Sequence, residues 1–221
     1  MTDYHDFNGI SLSRCACCPR SCQADRLHDK RGYCGSGSLA EIFRYGPHYG
    51  EEPPISGNRG SGTVFFSRCT MRCIYCQNYP WSQEGKGEEY GAKELAGIFE
   101  NLRGKGCHNW NLVSPTPWIP QIREALNMVD GKKLPVVYNT SGYERKKVIR
   151  DCSDMVDVFL FDLRYSRNET AKEASDTDNY ADFARSALKE AWDIKGPVSL
   201  DGNGAAISGV ICRILVLPGH S

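Results

Sequence analysis

The sequence has no excess of charge of either sign and no long apolar run. Its 221 residues include 27 Lys+Arg and 27 Asp+Glu, so the formal net charge is zero. A neutral chain has no electrostatic basis for binding nucleic acid or an acidic membrane surface. No apolar stretch approaches the roughly 18 residues of a membrane helix, and the first residues lack the basic and apolar regions of a signal peptide. These absences predict a cytoplasmic protein with no nucleic-acid or membrane partner.

Cysteine is abundant, with 11 in the chain. In a secreted chain such richness indicates disulfides, whereas in the reducing cytoplasm it indicates metal binding or redox chemistry. The sequence shows no pattern typical of a general acid and base pair. No catalytic side chain is therefore predicted beyond the ligands of a cofactor.

Three of the cysteines lie directly after the apolar run 63–66. Cys69, Cys73 and Cys76 have the spacing C-x3-C-x2-C. Iron-sulfur clusters are held by thiolates, normally one per iron, so three cysteines leave one iron of a 4Fe-4S cluster open. An open position is typical of catalytic metal sites. Zinc is the competing metal, but a structural zinc site needs four ligands and the next thiol, Cys107, is far downstream.

The residues around these cysteines resemble the cluster loop of radical S-adenosylmethionine (SAM) enzymes. Segment 67–78 reads S-R-C-T-M-R-C-I-Y-C-Q-N, and it is similar to the branch that contains pyruvate formate-lyase activating enzyme. The resemblance extends from about Cys15 to Gly219. It implies that a reduced 4Fe-4S cluster cleaves SAM to a 5'-deoxyadenosyl radical, which abstracts hydrogen from a substrate. It also implies that Tyr75 lies near the adenine and that Asn78 belongs to the SAM site.

Beyond Gly60, short apolar runs alternate with helix-prone stretches. The predicted strand and helix pairs, followed by a last strand, are 63–67 with 92–103, 110–114 with 117–129, 134–139 with 143–151, 156–162 with 180–192, and 209–217. Because parallel strands need a crossover each time, this alternation predicts an α/β fold with a parallel sheet. The polar stretches 166–179 and 197–208 are predicted to be surface excursions. The resemblance implies a partial (β/α) barrel of the radical SAM type, with five of six strand-helix units in this chain and a sixth strand expected beyond Gly219.

Active sites of such barrels lie at the carboxyl ends of the strands, and the residues there are polar in this chain. The resemblance implies SAM-binding roles for one group of residues: Ser114, Thr116, Asn139, Thr140, Asp162, Arg164 and Arg213. Asn139 stands where the activating enzymes have an acidic residue, which weakens a cation site because an amide brings an oxygen ligand without charge.

Each of these strand ends also has a structural interpretation. Thr116 before Pro117 is typical of a helix start, and Gly142 is typical of a tight turn. Asp162 and the two arginines can form ion pairs without any catalytic role. The residues alone do not separate these interpretations from cofactor binding.

Residues 1–50 are predicted to be a cysteine-rich metal-binding segment, and residues 51–221 the radical SAM core. The segment is poor in apolar residues, so four thiolates are expected to fold it around a metal. The cysteines that match the pattern of the family's relatives are Cys15, Cys18, Cys22 and Cys34, with Cys17 as an extra thiol. Their spacing does not separate structural zinc from an auxiliary 4Fe-4S cluster, and free thiols are a third interpretation.

Two functions from different classes follow. The first is a radical SAM oxidoreductase that draws electrons from a flavodoxin- or ferredoxin-like reductant and activates a glycyl-radical enzyme, a protein substrate. The second is a catalytically inactive iron-sulfur or zinc-binding module with a redox or interaction role. Release of 5'-deoxyadenosine from SAM separates the two.

Overall fold

The structure, a computed structural model, describes residues 10–219, so residues 1–9 of the predicted N-terminal segment and residues 220 and 221 lie outside it. In this range a mixed α/β fold is built on an eight-stranded sheet. The strands are β1 (Ala40–His48), β2 (Ser61–Phe66), β3 (Glu88–Tyr90), β4 (Trp110–Val113), β5 (Val136–Thr140), β6 (Val158–Leu163), β7 (Ser199–Leu200) and β8 (Ala206–Ile214).

Seven α-helices accompany the sheet within the same range. They are α1 (Pro53–Ser56), α2 (Tyr79–Ser82), α3 (Ala92–Gly104), α4 (Ile119–Met128), α5 (Lys146–Cys152), α6 (Asn168–Ser175) and α7 (Tyr180–Lys195). Short 3-10 turns precede β1 and α4. Among residues 10–219, no helix combines the length and the apolar character needed to cross a membrane.

Five strands form the parallel centre of the sheet. The strand order is β3-β1-β2-β4-β5-β6-β8-β7, and the pairs from β2 through β8 are parallel. These are the strands that the alternation of apolar and helix-prone stretches predicts, so the α/β class and its parallel sheet are confirmed. β1 and β3 extend one edge and β7 the other, all in antiparallel pairing.

The apolar pattern does not reveal the outer elements. β1 lies inside the predicted N-terminal segment, where Gly46, Pro47 and an irregularity between Ile42 and Arg44 interrupt any regular alternation. It pairs with β2, so the cysteine-rich segment and the core share one sheet. The stretches 166–179 and 197–208, predicted to be surface excursions, contain α6, which buries half of its eight residues, and the short exposed strand β7. α6 buries mainly alanine and small polar side chains, which leave no apolar periodicity in the sequence.

Both faces of the central strands are covered by apolar side chains. In β6, Phe159 and Phe161 point to the large core beneath the helices, whereas Val158 and Leu160 join a second cluster on the opposite face. α1 closes that second face with the fully buried Ile55. This two-sided burial explains why β6 is a continuous apolar run rather than an alternating one.

Because the central strands are parallel, their carboxyl ends meet at one edge of the sheet, where α/β proteins bind ligands. The chain turns sharply at two of these ends. Arg68 after β2 has a φ of 68° and Ser114 after β4 has a φ of 58°. Non-glycine residues adopt this left-handed conformation uncommonly and often at functional sites.

Gly142, just after β5, is expected to be intolerant of any side chain. Its φ is 84°, and a Cβ atom there would lie 2.2 Å from the carbonyl oxygen of Asp162 and 2.7 Å from the hydroxyl of Tyr180. We expect Gly142→Ala to lower the free energy of unfolding in urea by about 2–4 kcal/mol, through strain and overpacking. The matched control is Gly97→Ala on the exposed side of α3, where a Cβ contacts nothing within 4 Å and stability should rise by about 0.5–1 kcal/mol. Equal effects of the two changes would contradict the prediction.

Candidate functional site

The loop that follows β2 holds the three predicted cluster ligands in an apolar environment. Cys73 is 4% exposed, and Cys69 and Cys76 are half-buried. Burial, together with the nearby Cys73 and Cys76 thiols, raises the pKa of Cys69 to about 12. Thiolates are therefore unfavourable here unless a cation or a metal stabilises them. The three thiols pack with one apolar cluster, which includes Met71, Tyr143, Tyr165, Ala171, Ala174 and Tyr180.

Each of these cysteines has a hydrogen-bonding group at its sulfur. The backbone N–H of Met71 donates to Cys69 at 3.5 Å, Ser175 and Arg164 donate to Cys73 at 2.9 and 3.3 Å, and the hydroxyl of Ser82 lies 3.3 Å from the sulfur of Cys76. Donors directed at sulfur are typical of the surroundings of thiolate metal ligands.

The N-terminal cysteines converge on one small cavity. Its lining includes all four predicted ligands and also Cys17, which lies outside the family's pattern: Cys15, Cys17, Cys18, Cys22 and Cys34. A hydrogen bond from Cys17 lowers the pKa of Cys15 to about 5, and the Arg26 guanidinium contributes to the shift against the opposing effect of burial. These contacts favour the thiolate form of Cys15, which is the form that binds metals.

The described residues show no preformed site for a single ion. Between residues 10 and 219, no three His, Cys, Asp or Glu side chains are grouped tightly enough to hold a metal ion. Cys69, Cys73 and Cys76 share one apolar cluster, and the N-terminal cysteines share one cavity. By donor type and number, three thiols in the cluster and four or five around the cavity match the ligand sets of iron-sulfur clusters, or of zinc at the N-terminus.

Two arginines join the N-terminal cavity to the rest of the site. Arg20 Nε donates to the carbonyl oxygen of Thr70 in the cluster loop at 2.7 Å, and its guanidinium lies 3.3 Å from the centre of the Tyr33 ring. Arg26 is 2% exposed and donates to the carbonyl oxygens of Gly37 and Pro117. Of these contacts, the hydrogen bond from Arg20 to Thr70 links the two groups of cysteines.

Asp162, Arg164 and Arg213 form a chain of ion pairs at the ends of β6 and β8. Asp162 and Arg213 are neighbours across the two strands, and Arg213 Nε lies 2.6 Å from Asp162 Oδ1. Arg164 Nη2 lies 2.7 Å from Asp162 Oδ2, and Arg164 Nη1 also donates to Cys73. The strand-end charges are therefore linked directly to the cysteine loop.

Arg213 also contacts two residues, Glu51 and Glu52, that the sequence pattern does not indicate. Its Nη1 lies 3.2 Å from Glu51 Oε2 and 3.5 Å from Glu52 Oε1, and its Nη2 donates to Asn139 Oδ1 at 2.8 Å. Asn139 in turn donates to Glu51 at 3.2 Å. Burial raises the pKa of Glu51, and the Arg213 charge opposes that shift. Both glutamates follow β1, a strand without an apolar signature, so only the structure reveals their place in the site.

Thr116 and Thr140 point toward a buried carboxyl group. Each donates to Glu144 Oε1 at 2.5 Å, and Tyr138 donates to the same oxygen at 3.4 Å. Glu144 is 0% exposed, and its Oε2 is buried with no hydrogen-bond partner among the described residues. Burial raises the pKa of Glu144 to about 7, although the hydroxyl donors oppose the shift. The hydroxyl of Thr116 is therefore used by Glu144 rather than by a helix N-cap.

The other predicted SAM-site residues, Ser114, Tyr75 and Asn78, are half-buried. The backbone N–H of Ser114 donates to the carbonyl oxygen of Asn139 at 3.0 Å, which fixes the ends of β4 and β5 side by side. The hydroxyl of Tyr75 lies 2.5 Å from that of Tyr165. Asn78 precedes α2 directly.

Comparison with known proteins adds a distant relative. No protein-family model matches the chain. The chain is 30% identical over 183 residues to an uncharacterized protein of Methanocaldococcus jannaschii, and the match covers 79% of this chain. It covers 52% of the archaeal protein, so the chain spans about half the length of the curated relative it matches.

The buried Glu144 predicts a specific dependence of stability on pH. Its pKa is raised from 4.5 to about 7 in the folded protein, so folding favours the protonated carboxyl. The stabilising contribution is complete below about pH 4.5 and is lost as the pH rises through 7, a change of about 3 kcal/mol. We expect the difference in unfolding free energy between wild type and Glu144→Gln to shrink by this amount between pH 4.5 and 8. Glu173→Gln on the exposed side of α6 is the control, and a difference independent of pH for Glu144→Gln would contradict the assignment.

Proposed function

We propose that the protein is a radical SAM enzyme whose 4Fe-4S cluster is bound by Cys69, Cys73 and Cys76. The observation that carries the proposal is the C-x3-C-x2-C loop at the carboxyl end of a central parallel strand, with its thiols in a shared apolar cluster beside hydrogen-bond donors. The fold that accompanies this proposal is a partial (β/α) barrel of the radical SAM type. In it, the five central parallel strands correspond to five of six barrel strands.

The chemistry would come from the bound cofactors, since a reduced cluster and SAM together supply a 5'-deoxyadenosyl radical for hydrogen abstraction. The protein's part is to bind SAM, orient it and exclude water. Arg213 or Arg164 is suited to bind one oxygen of the SAM carboxylate, which leaves the other for the open iron, and Asp162 or Glu51 is suited to bind a cationic or hydroxyl group. Asn139 and Ser114 add polar groups at the same edge of the sheet.

Of the remaining predicted site residues, two would contact SAM directly and two would position the strand ends. Tyr75 and Asn78 would contact the adenosyl part of SAM. Tyr75 lies two residues after Cys73, and Asn78 lies two residues after Cys76. Thr116 and Thr140 are buried on Glu144, so we assign them to positioning the ends of β4 and β5. Loss of Glu144 would then alter SAM binding without removing any contact to SAM.

A protein substrate with a glycyl residue is the substrate class that we propose, with a flavodoxin- or ferredoxin-like reductant. Beside the site, an open pocket of about 310 Å³ is lined by Arg164, Tyr165 and the exposed Ile214 and Val216. Such an opening suits a loop of a large partner better than a small molecule that must be enclosed. The neutral net charge gives no support for a nucleic-acid or membrane partner, and a cytoplasmic location accords with thiols kept reduced.

One observation favours the second function, an inactive iron-sulfur or zinc-binding module. Asp162, Arg164 and Arg213 already satisfy one another in ion pairs. SAM would have to exchange these pairs for its own charged groups, and a stable structural network resists that exchange. A protein that assembles the cluster but does not cleave SAM would support this function.

The test of the proposed function is SAM cleavage by the anaerobically reconstituted protein. With dithionite as reductant, wild type should release 5'-deoxyadenosine and methionine. Replacing Cys69, Cys73 and Cys76 together by Ala should abolish both the release and the cluster absorbance of this site. Cys212→Ala, which removes an exposed thiol on β8, is the control and should retain activity. Undiminished cleavage by the triple variant would refute the assignment of the ligands.

The N-terminal cavity predicts a second, closed metal site. In the variant that lacks Cys69, Cys73 and Cys76, metal analysis should still find bound zinc or iron. Further replacement of the four predicted N-terminal ligands by Ala should remove that metal and destabilise the segment, because a segment poor in apolar residues depends on its metal. Complete absence of metal from the first variant would exclude the second site.

A further inference from the structure

Cys73 differs from the other two predicted cluster ligands in the number of donors at its sulfur. Ser175 Oγ donates to Cys73 Sγ at 2.9 Å, and Arg164 Nη1 donates to the same atom at 3.3 Å. Ser175 ends α6, and the last turn of that helix is docked on the cluster loop by backbone hydrogen bonds from Arg72 and Ile74. The backbone of the cysteine loop therefore fixes the position of the Ser175 hydroxyl.

The Ser175 hydroxyl is one end of a longer chain. The hydroxyl of Tyr165 is hydrogen-bonded to Ser175 Oγ, and the hydroxyl of Tyr75 lies 2.5 Å from that of Tyr165. Ser175 is 0% exposed and Tyr165 is 5% exposed, so water has little access to compete for these bonds. The chain leads from the half-buried Tyr75 through two buried groups to the sulfur of Cys73.

A metal-bound Cys73 sets the direction of every hydrogen bond in this chain. A thiolate only accepts, and each hydroxyl carries one proton. Ser175 gives its proton to the sulfur and must accept from Tyr165, which must in turn accept from Tyr75. All three protons then point toward Cys73, and in a low-dielectric environment each bond polarises the next.

We propose that the Tyr75–Tyr165–Ser175 chain, together with Arg164, regulates the reduction potential of the cluster bound to Cys73. This inference rests on the proposed function. Hydrogen bonds to the sulfur ligands are one of the factors that set the potential of an iron-sulfur cluster. Reduction adds negative charge that spreads onto the thiolates, so donors at Cys73 stabilise the reduced cluster more than the oxidised one. The chain therefore raises the potential and makes the cluster easier to reduce.

The experiment is a redox titration of the reconstituted cluster, followed by electron paramagnetic resonance of the reduced form. Ser175→Ala removes the donor at the sulfur, and the ratio of reduced to oxidised cluster at a fixed potential should fall about tenfold, equivalent to about 59 mV for a one-electron couple. Tyr165→Phe and Tyr75→Phe remove more distant protons and should give successively smaller shifts of the same sign.

Tyr143→Phe is the matched control, because Tyr143 belongs to the same apolar cluster but donates to Asn179 instead of the chain. It should leave the potential unchanged. The sign of the shift also separates the proposal from a structural role, since loosened packing would admit water and raise the potential. If the Ser175→Ala variant does not assemble a cluster, the shift in reduction potential of the Tyr165→Phe variant decides the test.

A potential in the chain variants equal to that of Tyr143→Phe, or a higher one, would overturn the inference while leaving the proposed function intact. A wild-type protein that assembles no cluster at the three cysteines would overturn both.

Discussion

The cost of ionising thiols inside an apolar cluster is the constraint on which the rest of the site depends. Cys69, Cys73 and Cys76 pack among aromatic and alanine side chains, where ionised sulfur is unfavourable without compensation. The surroundings offer part of that compensation through Ser175, Arg164 and backbone N–H groups. In our proposal iron supplies the remainder. The thiolates of this loop are then poorly stabilised by the protein alone and well stabilised when iron is bound.

The same constraint connects the cysteine loop to the strand ends. Arg164 contacts both Cys73 and Asp162. Asp162 pairs with Arg213, which contacts Asn139, and Asn139 donates a hydrogen bond to Glu51. In our proposal, charge added at a cluster bound to Cys73 would therefore affect the groups that hold SAM. Buried ionic networks of this kind are costly unless every member is paired. Their pairing across β6 and β8 explains how so many charges persist beside an apolar core.

The sequence predicts the central strands, the helices between them and the residues of the strand ends, because buried parallel strands have continuous apolar runs. It does not predict β1, whose Gly46 and Pro47 break the pattern, and so it misses Glu51 and Glu52 in the loop that follows. α6 is also missed, since its buried face is largely alanine, and with it the donor Ser175. Cys17 lies two residues from Cys15 but outside the predicted ligand set, and its hydrogen bond to Cys15 is visible only in the structure. Glu144 gains its role through a long-range hydrogen bond from Thr116 as well as a local one from Thr140, and the apolar pattern does not indicate that this carboxyl group is buried.

The central claim is that three cysteines hold a cluster with one iron open to SAM. The most direct measurement is electron paramagnetic resonance of the reduced protein before and after SAM is added, with SAM labelled by oxygen-17 in its carboxylate. If one iron is open to SAM, adding SAM should change the cluster signal and the label should add hyperfine broadening, because the carboxylate would bind that iron. A cluster signal that SAM leaves unchanged, with no effect of the label, would contradict it.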